Sequence, residues 1–198
     1  MIRYLLLVGF IICTITNPNV PKTSKYFDIV LKDKIVGSLK VSRSTKDSTT
    51  YYNSTTSIKT RLIKNIEVDY KYDVVFDNMM LKKADVQITV NDKPHAETTT
   101  LWKEGYYQVL KNSNEEITLM EPIDYTTILL YFKEPVDIDR CYSEQDGSLN
   151  HIISLGDHTY KKINAKGKEN TYHYKNGVLT NAVIDGGILS FNMIAREF

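Results

Sequence analysis

The sequence has little cysteine, and this scarcity excludes a fold held together by disulfides. It contains two cysteines, Cys13 and Cys141. Cys13 lies in a segment that we expect to be removed on export, which leaves Cys141 without an internal partner. No cysteine–histidine pairing is visible in the local sequence, so Cys141 is more typical of a small buried side chain than of a reactive thiol.

The sequence also lacks an excess of charge of either sign. It has 25 basic and 24 acidic residues, and the expected loss of Arg3 with the N-terminal segment leaves 24 of each. Binding to nucleic acid or to an anionic lipid surface requires a positive field that such a balanced chain does not build. We therefore expect no nucleic-acid partner.

No apolar run is long enough to cross a membrane as a helix, which takes about 20 residues. The run from Tyr4 to Ile12 is shorter, and it follows the basic residue Arg3. Thr14 and Thr16 then place small residues where a signal peptidase requires them. This layout is typical of a secretory signal, with a buried strand or an uncleaved anchor as the alternative.

The expected processing divides the chain into three parts. We predict a signal peptide at 1–16, a linker at 17–25 and a single antiparallel β domain at 26–198. Bulky Ile11 and Ile12 before Cys13 argue against a lipidated cysteine. The protein is therefore expected to be exported across the inner membrane and to be periplasmic or associated with the outer envelope.

Recognisable catalytic motifs are absent as well. The sequence has no Gly-x-Ser-x-Gly elbow, no glycine-rich phosphate loop and no Cys-x-x-Cys pair. His151 and His158 lie seven residues apart, wider than the usual spacing of metal-ligand pairs. We predict a protein that is not an enzyme and that has no catalytic residues, metal site or cofactor.

What the sequence has instead is alternation with a period of two. Ile66–Phe76 carries apolar or aromatic residues at even positions and charged residues at most odd positions, which predicts a long strand with one buried face. Similar runs recur along the chain, separated by turn signals of which Asn176-Gly177 is the strongest. About ten strands joined by short turns favour an antiparallel meander.

One segment departs from this pattern. Between Pro122 and Pro135, four apolar residues share one helical face: Tyr125, Ile128, Leu129 and Phe132. Asp124 is placed to act as the N-cap, although the β-branched residues leave a strand open as the alternative. The predicted fold class is all-β with one short helix: an antiparallel meander curved into an incomplete β-barrel around an apolar helix.

The segment from Glu134 to Gly147, which follows, has the highest density of charged and polar residues. Strand-like alternation would turn Arg140, Tyr142 and Glu144 the same way. A guanidinium beside a carboxylate could hold a polar ligand group at a cavity mouth. The alternative is a structural ion pair that pins the crossover after the helix.

Aromatic residues supply the remaining candidates. The chain has 14 tyrosines, and rings with a polar tip suit a wet cavity for sugar or lipid head groups. They equally suit any half-exposed sheet, because tyrosine favours strands. The candidate ligand-binding residues are Trp102, Tyr107, Glu134, Arg140, Tyr142 and Glu144.

Several short sequence motifs, taken in order, resemble those of a known protein family. They include Ile35-Val36-Gly37-Ser38-Leu39, Thr99-Thr100-Leu101-Trp102, Leu130-Tyr131-Phe132-Lys133 and Thr171-Tyr172-His173-Tyr174. From Tyr26 to about Phe191 the chain resembles a family of exported Bacteroidetes proteins known only as a domain of unknown function. That family is distantly similar to the unclosed β-barrels of the lipoprotein-carrier type. The resemblance implies a compartment and a curled sheet around a hydrophobic cavity, and it implies no catalytic residues.

Three hypotheses about function follow. The first is a binding or carrier module that holds a lipid or another apolar small molecule of the envelope in a half-barrel cavity. The alternative is a structural protein that pairs with another envelope protein. The third, a hydrolase of envelope glycans, would need a pair of acids such as Glu134 and Glu144.

Overall fold

The computed structural model describes residues 21–61, 65–186 and 189–196. The predicted signal peptide at 1–16 and the first residues of the predicted linker lie outside these ranges. The first strand begins at Lys22, so residues 22–25 belong to the sheet and not to the linker. Among the described residues, no helix has both the length and the apolar character to span a bilayer.

The described part of the chain forms fourteen strands and one short 3₁₀ helix, rather than about ten strands. The strands before the helix are β1 Lys22–Leu31, β2 Lys34–Lys46, β3 Thr49–Thr60, β4 Ile66–Asp77, β5 Met80–Val90, β6 Lys93–Lys103, β7 Tyr106–Lys111 and β8 Glu115–Leu119. The helix η1 spans Thr127–Tyr131. The strands after it are β9 Arg140–Ser143, β10 Ser148–Gly156, β11 Thr159–Ile163, β12 Glu169–Lys175, β13 Val178–Asp185 and β14 Ser190–Ala195.

All strands belong to one antiparallel sheet, as the meander prediction requires. The order is β8-β7-β6-β5-β4-β3-β2-β1-β14-β13-β12-β11-β10-β9, so the one non-sequential neighbour pair joins the first strand to the last. In the described residues β8 and β9 are not paired with each other, and the sheet therefore stays unclosed. The predicted alternation of β4 is confirmed: Val68, Tyr70, Val74 and Phe76 are all buried.

Tight turns set the register of the hairpins. In several of them both central residues have positive φ, as a type I′ turn requires: Lys32 and Asp33, Asn78 and Met79, Asn91 and Asp92, Asn112 and Ser113, Asp157 and His158, Asn176 and Gly177. The backbone twist of a type I′ turn matches the right-handed twist of the two strands that it joins. The hairpin predicted at Asn176-Gly177 is confirmed by the pairing of β12 with β13.

Because consecutive strands are antiparallel, the turns fall at two ends of the sheet. We call the end with the turns after odd-numbered strands the lower end, and the end with the turns after even-numbered strands the upper end. The antiparallel pairing of β1 with β14 places the β9–β10, β11–β12 and β13–β14 turns at the lower end as well. The crossover at 120–139, which joins β8 to β9, starts and finishes at the upper end.

The sheet curls so that strands far apart in its order face one another. The Tyr70 hydroxyl on β4 donates to the carbonyl of Gly186, 3.2 Å away, and the Thr98 hydroxyl on β6 donates to the carbonyl of Gln145 at 2.9 Å. Gly147 lies so close to β7 that a Cβ on it would stand 2.8 Å from Cγ1 of Val109. The β9–β10 turn is thus packed inside the concave face.

The helix expected at 125–132 is present in a shorter form. η1 is a 3₁₀ helix of five residues, and Ile128, Leu129 and Leu130 are all buried, so its apolar surface is wider than one α-helical face. The prediction of Asp124 as N-cap is wrong. The N-cap position is Thr126, which makes no side-chain cap hydrogen bond.

Candidate functional site

The buried carboxylate of Glu144 takes the place of an N-cap side chain for η1. Its two oxygens accept hydrogen bonds from the backbone N–H groups of Thr127 and Ile128, both at 3.1 Å. Burial raises the pKa of Glu144, while hydrogen bonds such as that from the backbone N–H of Ile128, together with the charge of Lys162, act against that rise. Glu144 therefore orients the helix inside the sheet.

Two buried tyrosines make hydrogen bonds inside the concave face, and one of them, Tyr107, holds the crossover there. The Tyr107 hydroxyl donates to the carbonyl of Leu81 at 2.9 Å and accepts from the backbone N–H of Ile123 at 3.3 Å. The hydroxyl of Tyr142 lies 2.6 Å from Oγ1 of Thr100 on β6. The hydroxyl groups of both tyrosines thus make hydrogen bonds that stabilise the fold.

Glu134 anchors the far end of the crossover. One of its oxygens accepts from the Tyr160 hydroxyl and from Nδ1 of His158, each at 2.8 Å. Burial acts to raise the pKa of Glu134, but these two hydrogen bonds outweigh it and hold the pKa below the usual value. The contact ties the crossover to β11.

Arg140 and Trp102 lie nearer the surface. The Arg140 guanidinium forms an ion pair with Glu121 and does not meet Glu144, so the two residues do not form the expected guanidinium–carboxylate pair. Glu121 and Arg140 bracket the crossover, which is the pinning role that the sequence left open as the alternative. The ring of Trp102 is half-buried, 4.8 Å from that of Tyr107.

None of these six described side chains lines either of the cavities that remain on the concave face. In the described part of the chain η1 fills the middle of that face, and a cavity lies near each end. Trp102, Tyr107, Glu134, Arg140, Tyr142 and Glu144 thus act on the crossover and its surroundings, and their assignment as ligand-binding residues stays a prediction.

The upper cavity has a volume of about 430 Å³, a size typical of small-molecule pockets. Its walls come from β2 to β4, from the β4–β5 turn and from the crossover. The apolar and aromatic lining consists of Tyr52, Phe76, Met79, Tyr125, Leu129, Phe132 and Ile138. Charged lining comes from Arg43, Lys133 and Asp124.

Two cationic side chains lie over the ring of Phe132, in the wall of this cavity. The Lys25 ammonium and the Arg43 guanidinium each lie 5.7 Å from the centre of its ring. Burial, and after it the neighbouring charge of Arg43, lowers the pKa of Lys25. Two like charges held over one ring are an arrangement that an anionic group would relieve.

The lower cavity consists of two adjoining spaces of about 140 and 80 Å³. Both spaces border on Lys162, Asn170 and Gln145. The outer space is lined by polar residues and opens between the lower-end turns. The inner space has ring residues in its wall: Tyr70, Tyr72, Tyr131, Tyr172 and Phe191.

The family of the chain can be stated from its sequence. The sequence model of one protein family, the domain of unknown function DUF6134, matches residues 27–196. The chain belongs to that family. No curated protein matches it.

This DUF6134 domain also has a likeness among solved structures. It is similar to a β-barrel-like protein of the domain of unknown function DUF1849 from Brucella abortus, with a TM-score of 0.51 and 13% identity over 90% of this chain and 96% of the other. At that identity the likeness shows the fold alone: an all-β, barrel-like sheet. The expected Bacteroidetes origin and lipoprotein-carrier similarity stay predictions.

The cavity residues of this DUF6134 domain were missed by reasoning from sequence. The sequence did contain a signal for two of them. Asn150 lies two residues from the buried Ile152, and Lys162 lies two residues from the buried Tyr160, so each faces the same side of its strand as a core residue. Polar residues at inward positions of two strands mark a polar space. The meeting of Lys25 and Arg43 over Phe132 had no such signal, because the three residues are far apart in sequence.

Proposed function

We propose that this DUF6134 domain is an exported, non-catalytic protein that binds an amphipathic molecule with an acidic head in its upper cavity. One observation carries the proposal: the cationic groups of Lys25 and Arg43 lie over the ring of Phe132, and Arg43 and Phe132 belong to the wall of a cavity with an aromatic and aliphatic lining. Pockets of this kind combine an apolar wall with a few polar groups that fix orientation.

A fatty acid or an anionic lipid has the matching chemistry. Its carboxylate or phosphate would meet Lys25 and Arg43, and the first part of its tail would pack on Phe132, Leu129 and Phe76. Asp124 on the same wall keeps the net charge of the lining low, so we expect the apolar contacts to supply much of the affinity. η1 occupies the rest of the concave face, which limits the length of tail that can enter.

The test measures the binding of oleate and of the neutral oleyl alcohol to the purified protein by isothermal titration calorimetry. Lys25→Met and Arg43→Met keep most of the side-chain length and remove the charge. Each should weaken oleate binding by about tenfold, corresponding to about 1.4 kcal/mol, and change oleyl alcohol binding much less.

Lys40→Met is the matched control, because the Lys40 ammonium also lies over an aromatic ring, that of Tyr26, at 5.5 Å but outside the cavity. This variant should bind oleate as the parent protein does. Absence of oleate binding at submillimolar concentration would contradict the proposal, as would binding that neither Lys25→Met nor Arg43→Met weakens.

The alternative function, pairing with another envelope protein, has one observation in its favour. On the outer face of β13 and β14, Val178, Val183 and Ile194 are each nearly half exposed. Exposed apolar patches of this kind mark interaction surfaces. A protein partner in stoichiometric amount that is lost in Val183→Lys and Ile194→Lys variants, with oleate binding unchanged, would favour this alternative.

A further inference from the structure

The lower cavity contains a buried amide that the fold leaves unsatisfied. Asn150 on β10 is 1% exposed, and neither its Nδ2 nor its Oδ1 has a hydrogen-bond partner in the described part of the chain. A buried polar group without a partner is costly, so native proteins retain few of them. Asn150 is one of the residues that line the outer space.

A buried ammonium lies in the same wall. Lys162 on β11 is 6% exposed, and its Nζ donates to Oγ1 of Thr127 at 3.0 Å. An ammonium has three donors, and this is the one hydrogen bond that Nζ makes to the described residues. No carboxylate in those residues lies within ion-pair distance of Nζ. Lys162 therefore has donors and a charge to offer to the cavity.

The other charges around this space favour an anion over a cation. Lys166 and Lys168 from the β11–β12 turn also line it. Of the two acidic residues in the lining, Asp185 is paired with Lys168 at 3.5 Å, which leaves Asp146. Glu144, a buried carboxylate whose charge interacts with that of Lys162, already accepts hydrogen bonds from the start of η1.

We propose that the lower cavity is a binding site for a small polar anion, whose acidic group contacts Lys162 and whose hydroxyl or amide groups pair with Asn150. The outer space of about 140 Å³ compares with a cavity of about 150 Å³ that holds benzene, so the ligand is a molecule of a few carbon atoms or the polar end of a larger one. The acidic group is a carboxylate or a phosphate. This site is at the opposite end of the sheet from the upper cavity and does not depend on the function proposed there.

The test uses three probes of similar size: glycerate, glycerol 3-phosphate and neutral glycerol. Isotope-labelled full-length protein is titrated with each, and the amide signals, including the side-chain NH₂ of Asn150, are followed by NMR. We expect one of the two anions to shift the signals of Asn150 and of the lower-end turns at millimolar concentration, and the identity of that anion distinguishes a carboxylate ligand from a phosphate ligand. Glycerol should bind at least tenfold more weakly.

Variants locate the site. Lys162→Met should weaken binding of the anion at least tenfold, whereas Lys161→Met, the matched change at the next position of β11, should leave it within twofold. Asn150→Leu should abolish binding and raise the urea midpoint of unfolding, because an apolar side chain of similar size removes the unsatisfied amide.

Three results would overturn the inference. They are no shift at the lower-end turns with either anion up to 50 mM, unchanged binding in Lys162→Met, and shifts confined to the surface around Lys161. The titration of the parent protein decides the matter even where a variant fails to fold. Oleate binding at the upper cavity is a separate measurement, so either proposal can fail without the other.

Discussion

The carboxylate of Glu144 lies 3.1 Å from the backbone nitrogen of Ile128 and accepts its hydrogen bond from inside the curled sheet. The contact joins a turn after β9 to the start of η1, sixteen residues earlier in the chain. A 3₁₀ helix of five residues has several N–H groups without an internal partner, and here a buried acid supplies the acceptors. The position of the crossover thus depends on one side chain.

Replacing Glu144 should destabilise the protein strongly. Glu144→Ala leaves the N–H groups of Thr127 and Ile128 buried without an acceptor, which we expect to lower the free energy of unfolding by about 2–4 kcal/mol. Glu144→Gln keeps one acceptor oxygen and should cost less. Urea unfolding measures both, with Glu104→Ala in an exposed turn as the control. Equal stability of Glu144→Ala and the control would contradict the capping role.

The pH dependence of Glu144 has a definite sign. Because burial raises its pKa in the folded state, the folded protein holds this proton more tightly than the unfolded chain. The free energy of unfolding should therefore contain a contribution that falls as pH rises from about 4.5 toward the raised pKa. Glu144→Gln should remove that slope. An identical pH profile in the variant and the parent protein would refute the shift.

Glu134 should act in the opposite direction. Its pKa is held below the usual value, so its contacts with His158 and Tyr160 stabilise the fold above about pH 4.5 and are lost as pH falls through the folded-state pKa. Glu134→Gln should therefore be destabilised near neutral pH and approach the parent protein in acid. Unfolding curves between pH 3 and pH 7 test this, and a constant difference across that range would argue against it.

Tyr107 offers a test of the crossover contacts with a matched neighbour. Tyr107→Phe removes the donor to the Leu81 carbonyl and the acceptor of the Ile123 N–H, both buried, and should lower the free energy of unfolding by about 1–3 kcal/mol. Tyr106→Phe changes the adjacent exposed ring and should be neutral within about 0.5 kcal/mol. Equal losses in the two variants would count against a crossover held by Tyr107.

Cys141 should be inert in the folded protein. Its side chain is fully buried, and burial raises the pKa of its thiol to about 12. In a Cys13→Ser variant, a thiol reagent at pH 8 should react only at the rate at which the protein unfolds, and promptly in 8 M urea. Rapid labelling without denaturant would show that β9 is accessible from solvent.

Much of the fold could be predicted from sequence because strands and two-residue turns are local. The alternation in β4 and the Asn176-Gly177 turn each depend on residues next to one another. The sequence pattern predicts too few strands, and it places the N-cap of η1 at Asp124, because it relates a helix only to residues close to it in sequence. The acceptor is Glu144, which comes close only after the sheet has curled.

The candidate site was harder to predict for the same reason. Arg140, Tyr142 and Glu144 alternate along β9 and its turn, yet their partners come from three separate places: Glu121, Thr100 and η1. Alternation specifies which side of a strand a residue faces, and not what lies opposite. The polar inward residues Asn150 and Lys162 were readable in principle from their parity.

The sequence by itself determined an all-β chain with period-two burial, its principal turns and the one apolar segment that interrupts them. Only the tertiary structure decided that η1 fills the centre of the concave face and leaves a cavity near each end. The physical reason is the separation in sequence of the residues that interact. Strand faces and turns follow from residues a few positions apart, whereas the cavities form where β2, β4, the crossover and β10 to β13 approach one another, and those approaches depend on how the whole sheet bends.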